Sequence, residues 1–540
     1  MAILIANIGT SDLAIKIDDY YIPVGFDRDE KNVNNTELDE NEKVIWEKNW
    51  RQEYICAQLC HELEIPYKKN GEFSFRELTK KILEEYEKNE EVWHNQINPD
   101  RIRGVIEKAR KEFNLEKVYI FVTNQPEKMI DLKSNQETDN RGYSTDSIHL
   151  FKIIQKWFKK EIPELDIVDQ VIPSNVSAVD QDGLMNYYYK FFLKEITSSQ
   201  EVLISIKGGT PQMQNALRMQ ALASSAMKQL FIEPKLSVKC LLAGKPSESQ
   251  LTSYWRYMRT QKYQDVKNIL ESRWDFNGGC EILQDWKILL RFWKKHTDDN
   301  SLSQNDKLIA NIIKVLKISD HCFNLDIKSA NNIIDSSSGS QLPFDLINQI
   351  KFYDCLLNLY TKCRIYNKLD QSANLLTTMA SFYEGVLERI AIKFDQRENF
   401  RAYNKKNRYE KFNFCSQIIK ANNNQEKKQN AEEILNYLEL LNVWIDKRND
   451  LIHSATGISK ERMREVYNER NRKDGNNRDA LENQFCHPDK IVETMTEILK
   501  NSLGLIKSDY QCFVNNNQSY YIYSVSRDWA ITKMITEGLE

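Results

Sequence analysis

The feature that most constrains this chain is a change of texture near residue 245. Before it, short apolar runs alternate with amphipathic segments. The runs are Ile3–Ile8, Lys117–Val122, Ile167–Ile172, Val202–Ile206 and Ser237–Leu242. Between them, Ser147–Phe158, Gly183–Ile196 and Pro211–Met227 carry a helical period. Strands separated by helices predict a mostly parallel sheet joined by βαβ crossovers. The expectation is an α/β, Rossmann-like domain over residues 1–245, with a charged and largely helical insertion over about 27–115 packed beside its sheet.

After Gly244-Lys-Pro246 strand signals become rare. Residues 246–343 read as an all-α linker, with helices over Tyr254–Trp274 and Cys280–Lys295. The stretch Asp335-Ser-Ser-Ser-Gly-Ser340 is the most linker-like segment, and 344–540 reads as an all-α domain. Only 17 glycines and 11 prolines punctuate 540 residues, which favours long helices. A chain of this length calls for about two to four domains. No internal repeat at a fixed period is present.

Composition removes several function classes. Lys+Arg 75 against Asp+Glu 78 leaves a net charge of −3, so a polybasic nucleic-acid coat is excluded while a local basic groove is not. No apolar run is long enough to span a bilayer, so no membrane partner is expected. Met-Ala-Ile-Leu-Ile-Ala-Asn-Ile-Gly lacks a basic leader and reads as a first strand. Ten scattered cysteines without a CxxC fit a reduced, cytoplasmic chain.

Three strand ends carry unusual loops: Gly9-Thr10-Ser11-Asp12, Thr123-Asn124-Gln125-Pro126, and Lys207-Gly208-Gly209-Thr210-Pro211. In an open parallel sheet, ligands bind outside the carboxyl ends of the strands. The third loop leads into a helix N-terminus, where bare backbone N–H groups favour an anion and Lys207 adds charge. The plain alternative is a strand-to-helix turn with Thr210 as N-cap and Pro211 at the first helical position. Three such loops on one edge favour a ligand site. Without GxGxxG or GxxxxGK[ST], a dinucleotide or P-loop site is disfavoured. A phosphate-bearing ligand held mainly by neutral donors is expected.

In the last domain, Ile434, Leu438, Leu441, Ile445 and Ile452 form one helix seam, and Arg448 fills its remaining slot. A guanidinium on an apolar stripe needs a partner, an interface or a phosphate. Asn449 and His453 share the neighbouring face. Arg448 and His453 stand about 140° apart on an ideal helix, so the arginine reaches round or another chain completes the site. A histidine titrating near pH 6.5 suits acid–base work, and an arginine stabilises phosphoryl charge. Together they suit metal-independent RNA cleavage by the substrate's own 2′-hydroxyl. The competing reading is a helix-terminal histidine beside an interhelical ion pair. A second arginine–histidine match, Arg291 to His296, looks like an aromatic-packed helix with a solvated basic edge. Cys56, Cys60 and His61 read as core packing rather than a metal site.

These features together resemble the CRISPR-associated CARF–HEPN ribonucleases of type III systems. IANIGTSD and SIKGGTPQMQNAL look like the two ligand loops of a CARF domain, and RNDLIH looks like the R-x4–6-H signature of HEPN ribonucleases. Tyr263-Gln-Asp-Val-Lys-Asn-Ile-Leu270 resembles the connector that follows many CARF domains. The insertion and residues 275–370 are not covered. The resemblance implies an antiviral homodimer that binds a cyclic oligoadenylate (cyclic tetraadenylate first, cyclic hexaadenylate as the other ring size) and then cleaves single-stranded RNA, with no metal cofactor. It makes Arg448 and His453 catalytic, with Asn449 supporting them. Gly9, Thr10, Ser11, Asn124, Gln125, Lys207, Gly208, Gly209 and Thr210 become activator contacts. Thr10 and Ser11 would also place a ribose 2′-hydroxyl for slow cleavage of the activator. One departure is that Pro211-Gln212 follow the GGT where many CARF domains have a lysine. Two other readings stay open: a nucleotide-sensing scaffold that holds RNA or a partner without cutting, and a ligand-responsive DNA-binding regulator. The second is disfavoured by near-neutral charge and the lack of a helix-turn-helix signal.

Overall fold

The computed structural model describes residues 2–25, 38–47, 51–130, 137–140, 142–235, 237–337, 341–394, 403, 405–453, 458–473 and 486–536. Side chains are described for these except at 47, 51–52, 129–130, 449–453 and 470–473. The chain divides into two compact units, one of Met1–Arg259 with Ile288–Leu302 and one of Thr260–Lys287 with Ser303–Glu540.

The first unit is built on six strands: β1 (Ala2–Asn7), β2 (Leu115–Thr123), β3 (Asp166–Ile172), β4 (Glu201–Ser205), β5 (Lys228–Lys235) and β6 (Glu248–Thr252). Their order is β6-β5-β4-β1-β2-β3, and only the edge strand β6 is antiparallel to its neighbour. Every residue of β1 is buried. A strand covered on both faces reads as a continuous apolar run rather than an alternating one, which is why AILIA is legible as a central strand. The chain winds outward from β1 through β2 and β3, then restarts on the other side at β4. The carboxyl ends of β1 and β4 therefore flank the point where the winding reverses, the usual crevice for a ligand in such sheets.

Five helices of this unit matter for the site: α1 (Phe75–Lys88), α2 (Asp100–Glu112), α3 (Ile148–Glu161), α4 (Gln181–Glu195) and α5 (Pro211–Ala223). The first two belong to the insertion, and α1 packs on α3. Ser74 caps α1 by accepting the Glu77 N–H at 3.2 Å, while Phe75, Leu78, Ile82 and Tyr86 bury its inner face. The insertion is mostly helical but also contains strand Ile97–Asn98, which pairs with the hairpin Ala14–Ile17 and Tyr20–Pro23.

One strand expectation is overturned. Ser237–Leu242 is not a strand; it holds the short helix Val238–Leu242, with the Ser237 hydroxyl accepting the Cys240 N–H at 3.3 Å. Val238, Leu241 and Leu242 are the buried positions, and that spacing belongs to a helix turn. The places of the last strands are taken instead by β5 and by β6, whose sequence ESQLT carries one apolar residue. Strand β6 exists because β5 offers it an edge.

The second unit is helical. Its core is formed by α6 (Cys355–Lys368), α7 (Ser372–Phe394), α8 (Gln425–His453), α9 (Ile491–Lys500) and α10 (Tyr521–Thr536). Helix α7 packs on α6 and α8, and α9 packs on α8. Ile434, Leu438, Leu441 and Ile445 of the expected seam are buried, joined by Trp444, whose indole N–H donates to the Cys486 carbonyl at 2.8 Å. Each such side chain contributes about 1.5–3 kcal/mol by leaving water. Asp354 caps α6 through the Leu357 N–H at 3.0 Å and takes two 2.9 Å bonds from Arg389 of α7. No helix among the described residues is long and apolar enough to cross a membrane.

Candidate functional site

The carboxyl ends of β1, β2, β3 and β4 open into one cleft of about 650 Å³. Five of the residues singled out in the sequence line it: Gly9, Thr10, Gln125, Gly209 and Thr210. Ile8, Ala178, Val179 and Met213 give it an apolar wall, and Asn140, Thr145, Ser147 and Ser177 give it polar groups. An apolar slot edged by hydroxyls and amides can hold a planar heterocycle and read its edge.

Backbone geometry fixes the middle of the cleft. Gly208 and Gly209 have φ of +102° and +70°, a region that L side chains avoid. A Cβ on Gly208 would meet the Asn7 carbonyl oxygen at 2.8 Å, so this loop lies directly against the end of β1. Thr210 is the N-cap of α5 with Pro211 at its first turn. The Thr210 hydroxyl accepts the Met213 N–H at 3.2 Å and donates to the Ala178 carbonyl. In the first loop, the Gly9 N–H donates to buried Asp12 at 2.7 Å. Those two donors are thus spent on holding the loops, and the cleft presents its shape and its remaining polar edge.

Four expected contacts lie elsewhere. Ser11 turns away and its hydroxyl accepts from Arg101 of α2 at 2.6 Å. Asn124 is exposed and its carbonyl oxygen accepts from Arg76 at 2.9 Å. Gly208 is buried beneath the cleft, and Lys207 is half-buried outside its lining. Sequence reading also missed residues that the fold brings in. Thr123 and Ser147 exchange two bonds, Thr123 N–H to the Ser147 hydroxyl at 3.0 Å and Ser147 N–H to the Thr123 hydroxyl at 3.1 Å. Asp146 beside them accepts the Gln125 N–H at 2.6 Å. Burial raises the Asp146 pKa, against the lowering pull of the Thr123 hydroxyl, the Gln125 N–H and Arg76.

The second cluster lies on α8, where Arg448, Asn449 and His453 all fall within the last turns of the helix. Arg448, in the remaining slot of the seam, is half-buried, whereas Ile434, Leu438, Leu441 and Ile445 are buried. The side chains of Asn449 and His453, and that of Ile452 in the seam, lie outside the described residues. Over five residues the helix rises about 7.5 Å, so Arg448 and His453 sit one to two turns apart along its axis. Of the Arg291–His296 pair, Arg291 is exposed and His296 is half-buried against aromatic rings. His296 stacks on Phe113 at 4.5 Å between centroids, and burial with Lys295 lowers its pKa. Cys56 and Cys60 are buried while His61 is exposed.

No protein-family model matches the chain, and no curated protein does. Among solved structures, Enterococcus italicus Csm6 bound to cyclic hexa-2'-fluoro-hexa-dAMP is similar over 79% of this chain and 95% of that one, at 13% identity and a TM-score of 0.43.

Proposed function

We propose that this chain is a CRISPR-associated endoribonuclease switched on by a cyclic oligoadenylate. In this reading the α/β unit holds the activator, and the helical unit, paired with a second copy, cuts single-stranded RNA without a metal. The observation that carries it is the meeting of the β1 and β4 loops through Gly9, Gly208 and Gly209 at the winding reversal, over an apolar cleft, in a chain that also bears RNDLIH.

The chemistry assigned to α8 is a transfer within the substrate. The RNA 2′-oxygen attacks the adjacent phosphorus, the bond to the 5′-oxygen breaks, and the products are a 2′,3′-cyclic phosphate and a 5′-hydroxyl. His453 moves the proton, and Arg448 bears on the charge that builds on the non-bridging oxygens. A dimer related by a two-fold axis would bring two such pairs together, which accounts for an arginine in an apolar seam. The activator acts by binding the cutting arrangement more tightly than the resting one.

The test is a fluorescent single-stranded RNA, the purified full chain, EDTA, and either cyclic tetraadenylate or cyclic hexaadenylate. Cleavage that appears only with one ring and is lost in His453→Ala supports the reading. Intact RNA with a ring demonstrably bound would move the assignment to a nucleotide-sensing scaffold.

A further inference from the structure

The cleft contains a group at odds with an anionic occupant. A cyclic oligoadenylate carries one negative charge per phosphodiester, yet Asp146 lines the same cleft and is only 1% exposed. Asp139 also lines it but is exposed, where water screens its charge. A buried carboxylate has no such screen and would repel the ligand unless a cation sits on it. That cation is Arg76, whose side chain is 16% exposed and whose Nη1 lies 2.6 Å from Asp146 Oδ2.

Arg76 does more than pair. Its other terminal nitrogen donates to Asn124 Oδ1 at 2.9 Å, and its guanidinium lies 4.4 Å from the centre of the Tyr143 ring. The oxygen it touches is the one that accepts the Gln125 N–H at 2.6 Å. One planar fork therefore spans the carboxylate and the turn after β2, a geometry a point-charge ammonium does not reproduce. His149 nearby does not share the task. Burial, then Arg76, Lys152 and Lys80, push its pKa below the ordinary value against the raising pull of Glu77, which disfavours a second cation there.

We infer that Arg76, carried in by helix α1 of the insertion, is a positioning residue for the cleft: it cancels the buried charge of Asp146 and holds Asn124–Gln125 in place, so that an anionic ring can bind. This rests on the reading of the cleft as the oligoadenylate site. It also gives the insertion a task, since α1 is anchored by its own buried face and delivers Arg76 from its first turn.

The experiment compares the full-length parent, Arg76→Gln, Arg76→Lys, Asp146→Asn and the Arg76→Gln/Asp146→Asn pair for binding of cyclic tetraadenylate and cyclic hexaadenylate by calorimetry, with thermal unfolding alongside. Arg76→Gln weakens the ring that the parent binds by on the order of tenfold or more, because it strands a buried charge. Arg76→Lys falls between, and the double variant regains most of the affinity because no buried charge remains. A purely structural arginine would not be rescued by a second substitution. The inference is overturned if Arg76→Gln binds like the parent, or if the double variant stays as weak as Arg76→Gln while Asp146→Asn binds normally. Should Arg76→Gln fail to fold, the lysine and double variants decide in the same way. A parent that binds neither ring overturns the functional reading and this inference together.

Discussion

A Cβ placed on Gly9 would stand 2.7 Å from the backbone nitrogen of Gly209, so the loops after β1 and β4 touch through their glycines. Backbone cannot swing aside as a side-chain tip can. Gly9→Ala is therefore expected to part the two loops, lower the thermal midpoint by a few degrees (about 1–2 kcal/mol) and weaken ring binding by tenfold or more. Calorimetry and a melting curve on the same preparation check both effects. Unchanged binding would show that this contact does not shape the cleft.

His453→Ala is expected to lower RNA cleavage by on the order of a hundredfold to ten-thousandfold, the range for a lost acid–base group. Arg448→Ala is expected to lose a similar amount. Both should bind the activator as the parent does, since the cleft lies in the α/β unit. Single-turnover cleavage rates with saturating ring measure this.

Asp100 makes a prediction about pH. Burial, opposed by the Ser247 hydroxyl bond and by Arg101 and Arg103, pushes its pKa up from 3.8 to about 6. A carboxyl whose folded pKa is raised stabilises the fold fully below the unfolded value and loses that contribution as pH rises through about 6. Asp100→Asn should thus be more stable than the parent at pH 8, by up to about 3 kcal/mol at 1.36 kcal/mol per unit. The gain should disappear near pH 4. The amide oxygen can still accept from Ser247, whose hydroxyl lies 2.6 Å from Asp100 Oδ2. Urea unfolding at the two pH values decides it.

Two ion pairs of the helical unit should differ sharply. Asp354 is 5% exposed and bound twice by Arg389, whereas Asp446, paired with Arg408, is 61% exposed. Arg389→Met leaves a buried charge unpaired and is expected to cost about 3–5 kcal/mol. Asp446→Ala breaks a pair open to water and should cost about 1 kcal/mol or less. Chemical denaturation of both variants tests the contrast.

Legibility followed the range of the forces involved. Strand β1 could be read from its apolar run because its burial on both faces demands one. The glycine loops could be read because their backbone conformations exclude other residues, and the α8 seam because helical periodicity is written into neighbouring positions. Strand β6 could not be read, since pairing with β5 makes it a strand and not its own side chains. Ser237–Leu242 is ambiguous in sequence, because a short apolar run fits either period until a cap such as Ser237 chooses the helix. The cleft's own chemistry was legible only in half. Gly9 and Thr210 announce themselves, while Asp146 carries no local signal.

What the sequence determined by itself is local: which segments must be buried, where a helix begins, and where only glycine fits. The tertiary structure alone decided that Arg76 meets Asp146, 70 positions away, and that the Thr210 hydroxyl is spent on the Ala178 carbonyl, 32 positions back. Pairings of that kind depend on the energy of burying a charge or a donor. That energy is set by what the folded chain packs around the group, and no short stretch of sequence contains it.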